Sequence, residues 1–187
     1  GVGTCRRCQW FWSAYGKLDG WCWAETGNRD IVPRAASKGA RCSSEWMLGR
    51  VDGSSPVNEC GSTAEGSNQL DAPVLLVIYV SAMARSAAAM VSGYAKFDPG
   101  LRVKGVLFNR VSSEGHYQLL KDAVEQETDV VAVGYLRPDQ AVTISDRHLG
   151  LVPAMGEGNG ELYDGWARAA TESKALDRVG TVCQRVQ

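Results

Sequence analysis

The 187-residue sequence has no long hydrophobic run. Its longest apolar stretch, Ala72 to Val80, has nine residues, whereas a membrane-spanning helix needs about 20. The first residues also lack the basic region and apolar segment of a signal peptide. We therefore expect a cytoplasmic protein with reduced thiols and no membrane partner.

An excess of charge of one sign is also missing. The sequence has 20 Lys+Arg and 21 Asp+Glu, which gives a formal net charge of -1. Such a balance provides no electrostatic basis for non-specific nucleic-acid binding. The length fits one domain whose core needs neither disulfides nor a structural metal. We expect a soluble protein without a nucleic-acid partner.

No second closely spaced cysteine pair follows Cys5 and Cys8. Cys22 and Cys42 are 20 residues apart, and no histidine precedes His116. A tetrahedral zinc site normally uses two close pairs of ligands. We interpret the six cysteines as reduced thiols rather than as a zinc site or a redox pair.

Regular periodicity is absent from residues 1–46, which hold five of the six tryptophans and four of the six cysteines. From Asp71 onward, β-branched apolar runs alternate with amphipathic stretches, as in a parallel α/β sheet with right-handed crossovers. The pattern predicts a three-layer α/β fold. We place its strands and helices at Pro73–Tyr79, Ala82–Phe97, Val103–Phe108, Glu114–Gln126 and Val130–Tyr135.

The pattern also predicts how these elements pack. We expect Pro73–Tyr79 to be a central strand, buried on both faces, and Ser81 to be the N-cap of the first helix. A further helical segment is expected within Glu161–Arg178, after the glycine-rich Met155–Gly160. The predicted buried stripes are Met83, Ala87, Met90 and Tyr94 on the first helix, and Tyr117, Leu120 and Val124 on the second.

Ligands of open parallel α/β sheets bind beyond the carboxyl ends of the strands. Four segments of the sequence qualify as such ends, and we expect the site to be built from them. They are Glu45–Gly53, Tyr79–Ser86, Asn109–Arg110 and Gly134–Asp139.

The candidate residues in these segments each have two interpretations. Glu45 and Asp52 could hold Mg²⁺ through carboxylate oxygens, or be a solvated charge and a surface turn. Arg85 and Ser86 could contact phosphate or carboxylate oxygens near a helix N-terminus, or be an exposed arginine and a helix cap. Asn109 could hydrogen-bond a base edge, or simply end its strand.

The sequence contains no phosphate-binding loop of the form G-x-x-x-x-G-K-[ST]. Its two histidines, His116 and His148, are isolated, and we interpret them as structural rather than as general bases. Composition and spacing thus indicate an α/β domain that binds an anionic ligand, but they do not identify the ligand or a reaction.

Several motifs carry a family resemblance. The segments DAPVLLVIYVSAMARSAAAMVSGYAKFDPGLRVKGVLFNRVSSEGHYQLLKDAVE, GYLRPD and DRHLGLVPA closely resemble the ATP-binding domain of the cobyrinic acid a,c-diamide synthase family. That family belongs to the dethiobiotin-synthetase-like branch of P-loop proteins. The resemblance is strong from Asp52 to Ala154, and a weaker match through EWMLGRVDG extends to about Lys17.

The resemblance implies an ATP-dependent amidation. ATP would phosphorylate a carboxylate of a corrinoid acid substrate, and ammonia released from glutamine by a separate domain would attack the acyl phosphate. The family pattern makes Glu45 the Mg²⁺-associated acid and Asp52 the substrate-facing acid. The other residues that it implicates are Asn109 for adenine, Leu136, Pro138 and Asp139 for the wall of the adenine pocket, and Arg85 and Ser86 for the nucleotide or substrate side.

The sequence departs from the family pattern in several places. The family's first strand, phosphate loop and GPDxxD segment have no match, and Tyr79 stands where the family's strand usually ends in Asp. No segment matches the glutaminase domain, and Cys183 lacks the context of a nucleophile elbow. We therefore expect an incomplete fold of this type, impaired in amidation; the alternative is a non-catalytic nucleotide- or tetrapyrrole-binding remnant.

The departures also shape the expected domain organisation. We expect an irregular or degenerate segment over residues 1–46, for which a shifted reading frame is one hypothesis. The amidoligase-type ATP-binding domain would occupy residues 47–154, and a linker and tail residues 155–187. A sheet without the family's first strand has an unpaired edge, so we also expect self-association into a homo-oligomer.

Overall fold

The protein is described here by a computed structural model, which describes residues 67, 68, 70–138, 160–173 and 175–182. The chain divides into two compact units, Gly1–Ala72 and Pro73–Gln187, and nearly all described residues belong to the second. Among these residues, no helix has the length and apolar character needed to cross a membrane. The predicted domain boundaries near residues 46 and 154, and all six cysteines, lie outside the described residues.

The second unit contains a parallel sheet of three strands in the order β1-β2-β3. One helix follows each of the first two strands, which confirms the predicted parallel α/β arrangement. The strands are β1 (Val74–Tyr79), β2 (Val103–Asn109) and β3 (Val131–Leu136). The helices are α1 (Ser86–Phe97), α2 (Glu114–Glu127), α3 (Gly160–Glu172) and α4 (Ala175–Val182).

One face of the sheet packs against α2. The Phe108 ring of β2 meets the Tyr117 ring of α2 edge to face, with 6.2 Å between the centroids. Leu120 and Val124 lie on the same buried stripe of α2 as Tyr117, so the predicted stripe is confirmed. Burying such a side chain stabilises the fold by about 1.5–3 kcal/mol.

The second face is covered in part by α4. A Cβ atom at Gly105 would lie 3.1 Å from Leu75 Cδ1, 3.1 Å from Val133 Cγ1 and 3.2 Å from Val182 Cγ1. The missing side chain of Gly105 therefore allows α4 to approach the middle strand. An arginine of α4 also links this helix to α2 and β3, since Nη1 of Arg178 donates to the Tyr117 hydroxyl and to the Ala132 carbonyl, each at 3.2 Å.

The described residues differ from the prediction that β1 is a central strand buried on both faces. Among the described strands β2 is the middle one and β1 lies beside it. Val77 is 56% exposed and Tyr79 is 58% exposed, because these residues alternate with the buried Leu76 and Ile78 and point to the face that α2 does not cover. An apolar run alone does not reveal which face of a strand is covered.

Helix α1 begins at Ser86 rather than at Ala82, so Ser81 is not its N-cap. The carbonyl of Met83, which would lie in the first turn of the predicted helix, instead accepts a hydrogen bond from His116 at 2.7 Å. This contact from another segment holds the chain in a turn before α1.

The buried face of α1 is also displaced from the prediction. The helix buries Ala87, Ala88 and Val91, whereas Met90 is exposed. Small alanine side chains let the helix backbone approach its neighbours closely, so the larger Met90 lies outside the contact.

Candidate functional site

The candidate site lies where the three strands end together. Tyr79, the last residue of β1, is in register with Asn109 of β2, and Asn109 is in register with Leu136 of β3. Asn109 and Leu136 are half-buried. The structure thus brings two predicted site residues, Asn109 and Leu136, to one edge of the sheet, beside the exposed ring of Tyr79.

The chain turns sharply after Asn109. Arg110 has a φ of 63°, a left-handed conformation that residues with a side chain rarely adopt. The carbonyl of Asn109 accepts from the Val80 N–H at 3.0 Å, and the Val111 N–H donates to the Leu136 carbonyl at 3.0 Å. The turn therefore links the ends of all three strands.

Two arginines place positive charge near aromatic rings at this edge. The Arg110 guanidinium carbon lies 5.5 Å from the centroid of the Tyr79 ring. That of Arg137 lies 5.8 Å from the centroid of Tyr135, whose hydroxyl donates to Oε2 of Glu114 at 2.6 Å. The hydrogen bond that Arg137 donates to the Tyr135 hydroxyl raises the pKa of Arg137 above its ordinary value. Neither cation-aromatic pair is among the predictions from the sequence, although the spacing of Tyr135 and Arg137 is a local signal.

Pro138 follows Arg137 directly and is exposed. The structure therefore places Pro138 two residues beyond Leu136, the last residue of β3. Asp139, the third residue predicted to line an adenine pocket, lies outside the described residues.

Arg85 and Ser86 lie at the start of α1. Arg85 occupies the N-cap position and Ser86 is the first helical residue. Nη2 of Arg85 lies 2.6 Å from Oε1 of Glu127, the last residue of α2, and the Arg85 side chain is 82% exposed. An exposed ion pair of this kind contributes about 0–1 kcal/mol, so little free energy would oppose a ligand that competes for the guanidinium.

His116 connects the loops that follow β1 and β2. Its Nε2 lies 2.7 Å from the Met83 carbonyl oxygen, and its Nδ1 lies 3.3 Å from the Ser112 backbone nitrogen. With the proton assigned to Nε2, the ring donates to Met83 and accepts from Ser112. The Ser113 hydroxyl caps α2 by accepting from the His116 N–H at 3.1 Å. These contacts agree with the structural interpretation of His116.

The predicted carboxylates Glu45 and Asp52 lie outside the described residues, as does His148. Over residues 70–138 and the two C-terminal helical stretches, no three His, Cys, Asp or Glu side chains are grouped so that they could hold a metal ion. The proposed Mg²⁺ ligand Glu45 therefore remains a prediction from the sequence.

Open parallel α/β sheets, among them nucleotide-binding domains, bind their ligands beyond the carboxyl ends of the strands, where this sheet has a half-buried asparagine and exposed arginines. Residues 28–152 match the CbiA family, described as the CobQ/CobB/MinD/ParA nucleotide binding domain. The match covers more than half of the 187 residues. The chain belongs to this family.

Similar proteins carry a more specific name. A cobyrinate a,c-diamide synthase of Priestia megaterium is 45% identical over 141 residues, which are 75% of this chain and 31% of the relative. One from Methanobrevibacter smithii is 36% identical over 163 residues, 87% of this chain and 36% of the relative. The chain thus spans about a third of the length of these curated relatives. No solved structure matches it.

Proposed function

We propose that this chain is the ATP-binding part of an enzyme that amidates the side-chain carboxylates of a corrinoid in cobalamin biosynthesis. The relatives named cobyrinate a,c-diamide synthase support this substrate class. The observation that carries the nucleotide role is the position of Asn109, which ends the middle strand between Tyr79 and Leu136. A cytoplasmic location is part of the proposal.

The adenine base would bind at the ends of β2 and β3. The Asn109 carboxamide has both a donor and an acceptor, which match the ring nitrogen and the exocyclic amine of adenine. Leu136, Pro138 and Asp139 would line the pocket around the base. Burial of the base against these side chains would supply affinity, while the directed hydrogen bonds of Asn109 would supply selectivity.

The reaction itself would proceed in two steps. A carboxylate oxygen of the corrinoid attacks the γ-phosphorus of ATP, which gives an acyl phosphate and ADP. Ammonia, supplied directly or from glutamine, then attacks the acyl carbon; phosphate leaves, the nitrogen loses a proton, and an amide remains. Such a transfer depends on positioning and on neutralising the phosphate charge.

The charged and polar side chains would have different roles in the phosphoryl transfer. Asp52 would face the substrate, and Arg85 with Ser86 would contact the nucleotide or the substrate near the N-terminus of α1. The carboxylate chemistry of Glu45 suits Mg²⁺, which prefers oxygen ligands and would neutralise the phosphates. The 187 residues contain no G-x-x-x-x-G-K-[ST] segment, so we expect phosphoryl transfer by this polypeptide to be impaired.

A second candidate function is binding of a nucleotide or a tetrapyrrole without catalysis. Tyr79 favours this non-catalytic function. Its exposed aromatic ring lies beside Arg110, at the strand end where the cobyrinic acid a,c-diamide synthase family usually has an acid. A flat anionic ligand suits such a pair, whereas a carboxylate-dependent reaction does not use it.

Calorimetric titration with Mg-ATP, together with spectral titration with a corrinoid carboxylic acid, tests the proposal. We expect saturable binding of both ligands, with each affinity raised by the other ligand. Binding of only one ligand would favour the non-catalytic alternative, and binding of neither would overturn both candidate functions. Ammonia-dependent release of ADP should be weak or absent for these 187 residues.

A further inference from the structure

The backbone at Arg110 is unusual for its residue type. Among the described residues, Asp71 and Arg110 are the non-glycine residues with positive φ, at 48° and 63°. Such a conformation is unfavourable for a residue with a Cβ atom and persists only where the surrounding structure holds it. Asp71 precedes the sheet, whereas Arg110 directly follows the proposed base-binding residue, Asn109.

Hydrogen bonds hold the turn on both sides of Arg110. Before it, the Asn109 carbonyl bonds to the Val80 N–H; after it, the Val111 N–H bonds to the Leu136 carbonyl, both at 3.0 Å. Val80 and Val111 are fully buried, so neither flanking segment is free to shift. The left-handed residue lets the chain leave β2 while it stays bonded to the ends of β1 and β3.

The side chain of Arg110 makes its own contact, which is separate from the effect of the backbone conformation. Its guanidinium lies over the exposed Tyr79 ring at 5.5 Å, and a contact between an exposed cation and an exposed ring is weak. Arg110 itself is exposed. The backbone conformation and the charge can therefore be changed independently by substitution.

We propose that Arg110 is a positioning residue whose left-handed backbone sets the direction of the Asn109 carboxamide and thereby the preference for adenine. This inference rests on the proposed function, in which Asn109 binds the base. A residue that disfavours positive φ would be strained in this turn. Relief of the strain by rotation of the peptide between Asn109 and Arg110 would break the hydrogen bond from the Val80 N–H and carry the carboxamide away from the base. The guanidinium would have no part in this effect.

Three substitutions separate backbone from charge. Arg110→Gly and Arg110→Asn remove the guanidinium but accept a positive φ. Arg110→Val also removes it, and a β-branched residue strongly disfavours positive φ. If Arg110→Val does not fold, as judged by circular dichroism, Arg110→Ala takes its place with a milder backbone penalty.

Dissociation constants for Mg-ATP and Mg-GTP, measured by calorimetry on the full chain, provide the first readout. We expect the glycine and asparagine variants to keep the wild-type preference for ATP within about twofold, and the valine variant to reduce it about tenfold, as for the loss of a directed hydrogen bond. If the glycine and valine variants lost the preference for ATP equally, or if the valine variant kept it, the proposal would be overturned.

The side-chain amide resonances of Asn109 in the NMR spectrum provide a readout that does not depend on nucleotide. We expect these resonances to move in Arg110→Val but to stay near the wild-type positions in Arg110→Gly and Arg110→Asn. If the wild type shows no preference for ATP, the proposed function fails, while this spectrum still decides the positioning role. Unmoved resonances in the valine variant would contradict that role.

Discussion

The imidazole of His116 lies 2.7 Å from the carbonyl oxygen of Met83 and so joins the loops that follow β1 and β2. Both loops leave the sheet at the carboxyl ends of their strands, where the candidate site lies. One side chain on α2 thus restrains the segment that leads into α1.

Replacing His116 by alanine should loosen this segment. The Met83 carbonyl would lose its partner, and we expect the free energy of unfolding to fall by about 1–3 kcal/mol. Backbone amides at the start of α1, from Ala87 to Val91, should exchange faster with solvent. Urea denaturation and hydrogen exchange measure the two effects.

The control for this prediction is Gln118→Ala on the same helix. Gln118 is exposed and its amide donates to Glu114 at 3.1 Å, so we expect little change in stability. Similar exchange rates at Ala87 in both variants would show that His116 does not restrain the loop.

A second prediction concerns the glycine beneath α4. Gly105→Ala would place a methyl group 3.1–3.2 Å from Leu75, Val133 and Val182, and such overpacking costs about 1–3 kcal/mol. Gly93 on α1 is the matched control, because a Cβ there would meet nothing within 4 Å. Gly93→Ala should stabilise the protein by about 0.5–1 kcal/mol. In thermal unfolding, a Gly105→Ala variant that is as stable as the wild type or more stable would show that α4 does not pack as described.

A third prediction concerns alkaline pH. Burial raises the pKa of Tyr117 above its ordinary value of 10.0, although the charge of Arg178 partly offsets the effect. The folded state therefore holds the hydroxyl proton more tightly than the unfolded state does. The resulting stability is fully present below pH 10.0 and is lost as pH rises toward the folded-state pKa.

Urea unfolding of wild type and Tyr117→Phe at several pH values between about 8 and 11 checks this prediction. The wild type should lose stability more steeply above pH 10.0 than the phenylalanine variant, which has no hydroxyl to titrate. Leu119→Ala, an exposed change on the same helix that removes no titratable group, serves as the control and should keep the wild-type slope. Parallel curves for wild type and Tyr117→Phe would contradict the assigned cause.

The ion pair between Arg85 and Glu127 gives a fourth prediction. Because an exposed pair adds about 0–1 kcal/mol, neither Arg85→Ala nor Glu127→Ala should change stability much. If Arg85 contacts the phosphates as proposed, Arg85→Ala should weaken binding of Mg-ATP, and Glu127→Ala should strengthen it by releasing the guanidinium. Calorimetry with adenosine is the control, and equal losses of ATP and adenosine binding in Arg85→Ala would argue against a phosphate contact.

The sequence was sufficient to predict elements whose packing follows from local pattern. The stripe of Tyr117, Leu120 and Val124 identified the buried face of α2, because helical periodicity depends only on neighbouring residues. The start of α1 was missed because it depends on His116, which lies 33 residues from Met83. Long-range contacts of this kind leave no signal in a local pattern.

The candidate site was predictable to a similar extent. Asn109 was placed correctly at a strand end, because the apolar run before it marks β2 and the site of a parallel sheet lies at such ends. The left-handed Arg110 was missed, since positive φ is expected of glycine and asparagine rather than arginine. Glu45 and Asp52 stay predictions from the resemblance, as both lie outside the described residues.

The most direct test of a base-binding Asn109 is the dissociation constant of a non-hydrolysable ATP analogue, measured by calorimetry for wild type and Asn109→Ala. We expect the substitution to weaken binding about tenfold, because it leaves polar groups of the base unpaired at a cost of about 1–3 kcal/mol. Lys104→Ala, an exposed change on the same strand, and the double variant Glu45→Ala with Asp52→Ala should alter affinity less. Equal dissociation constants for wild type and Asn109→Ala would contradict a role for this residue in binding the base.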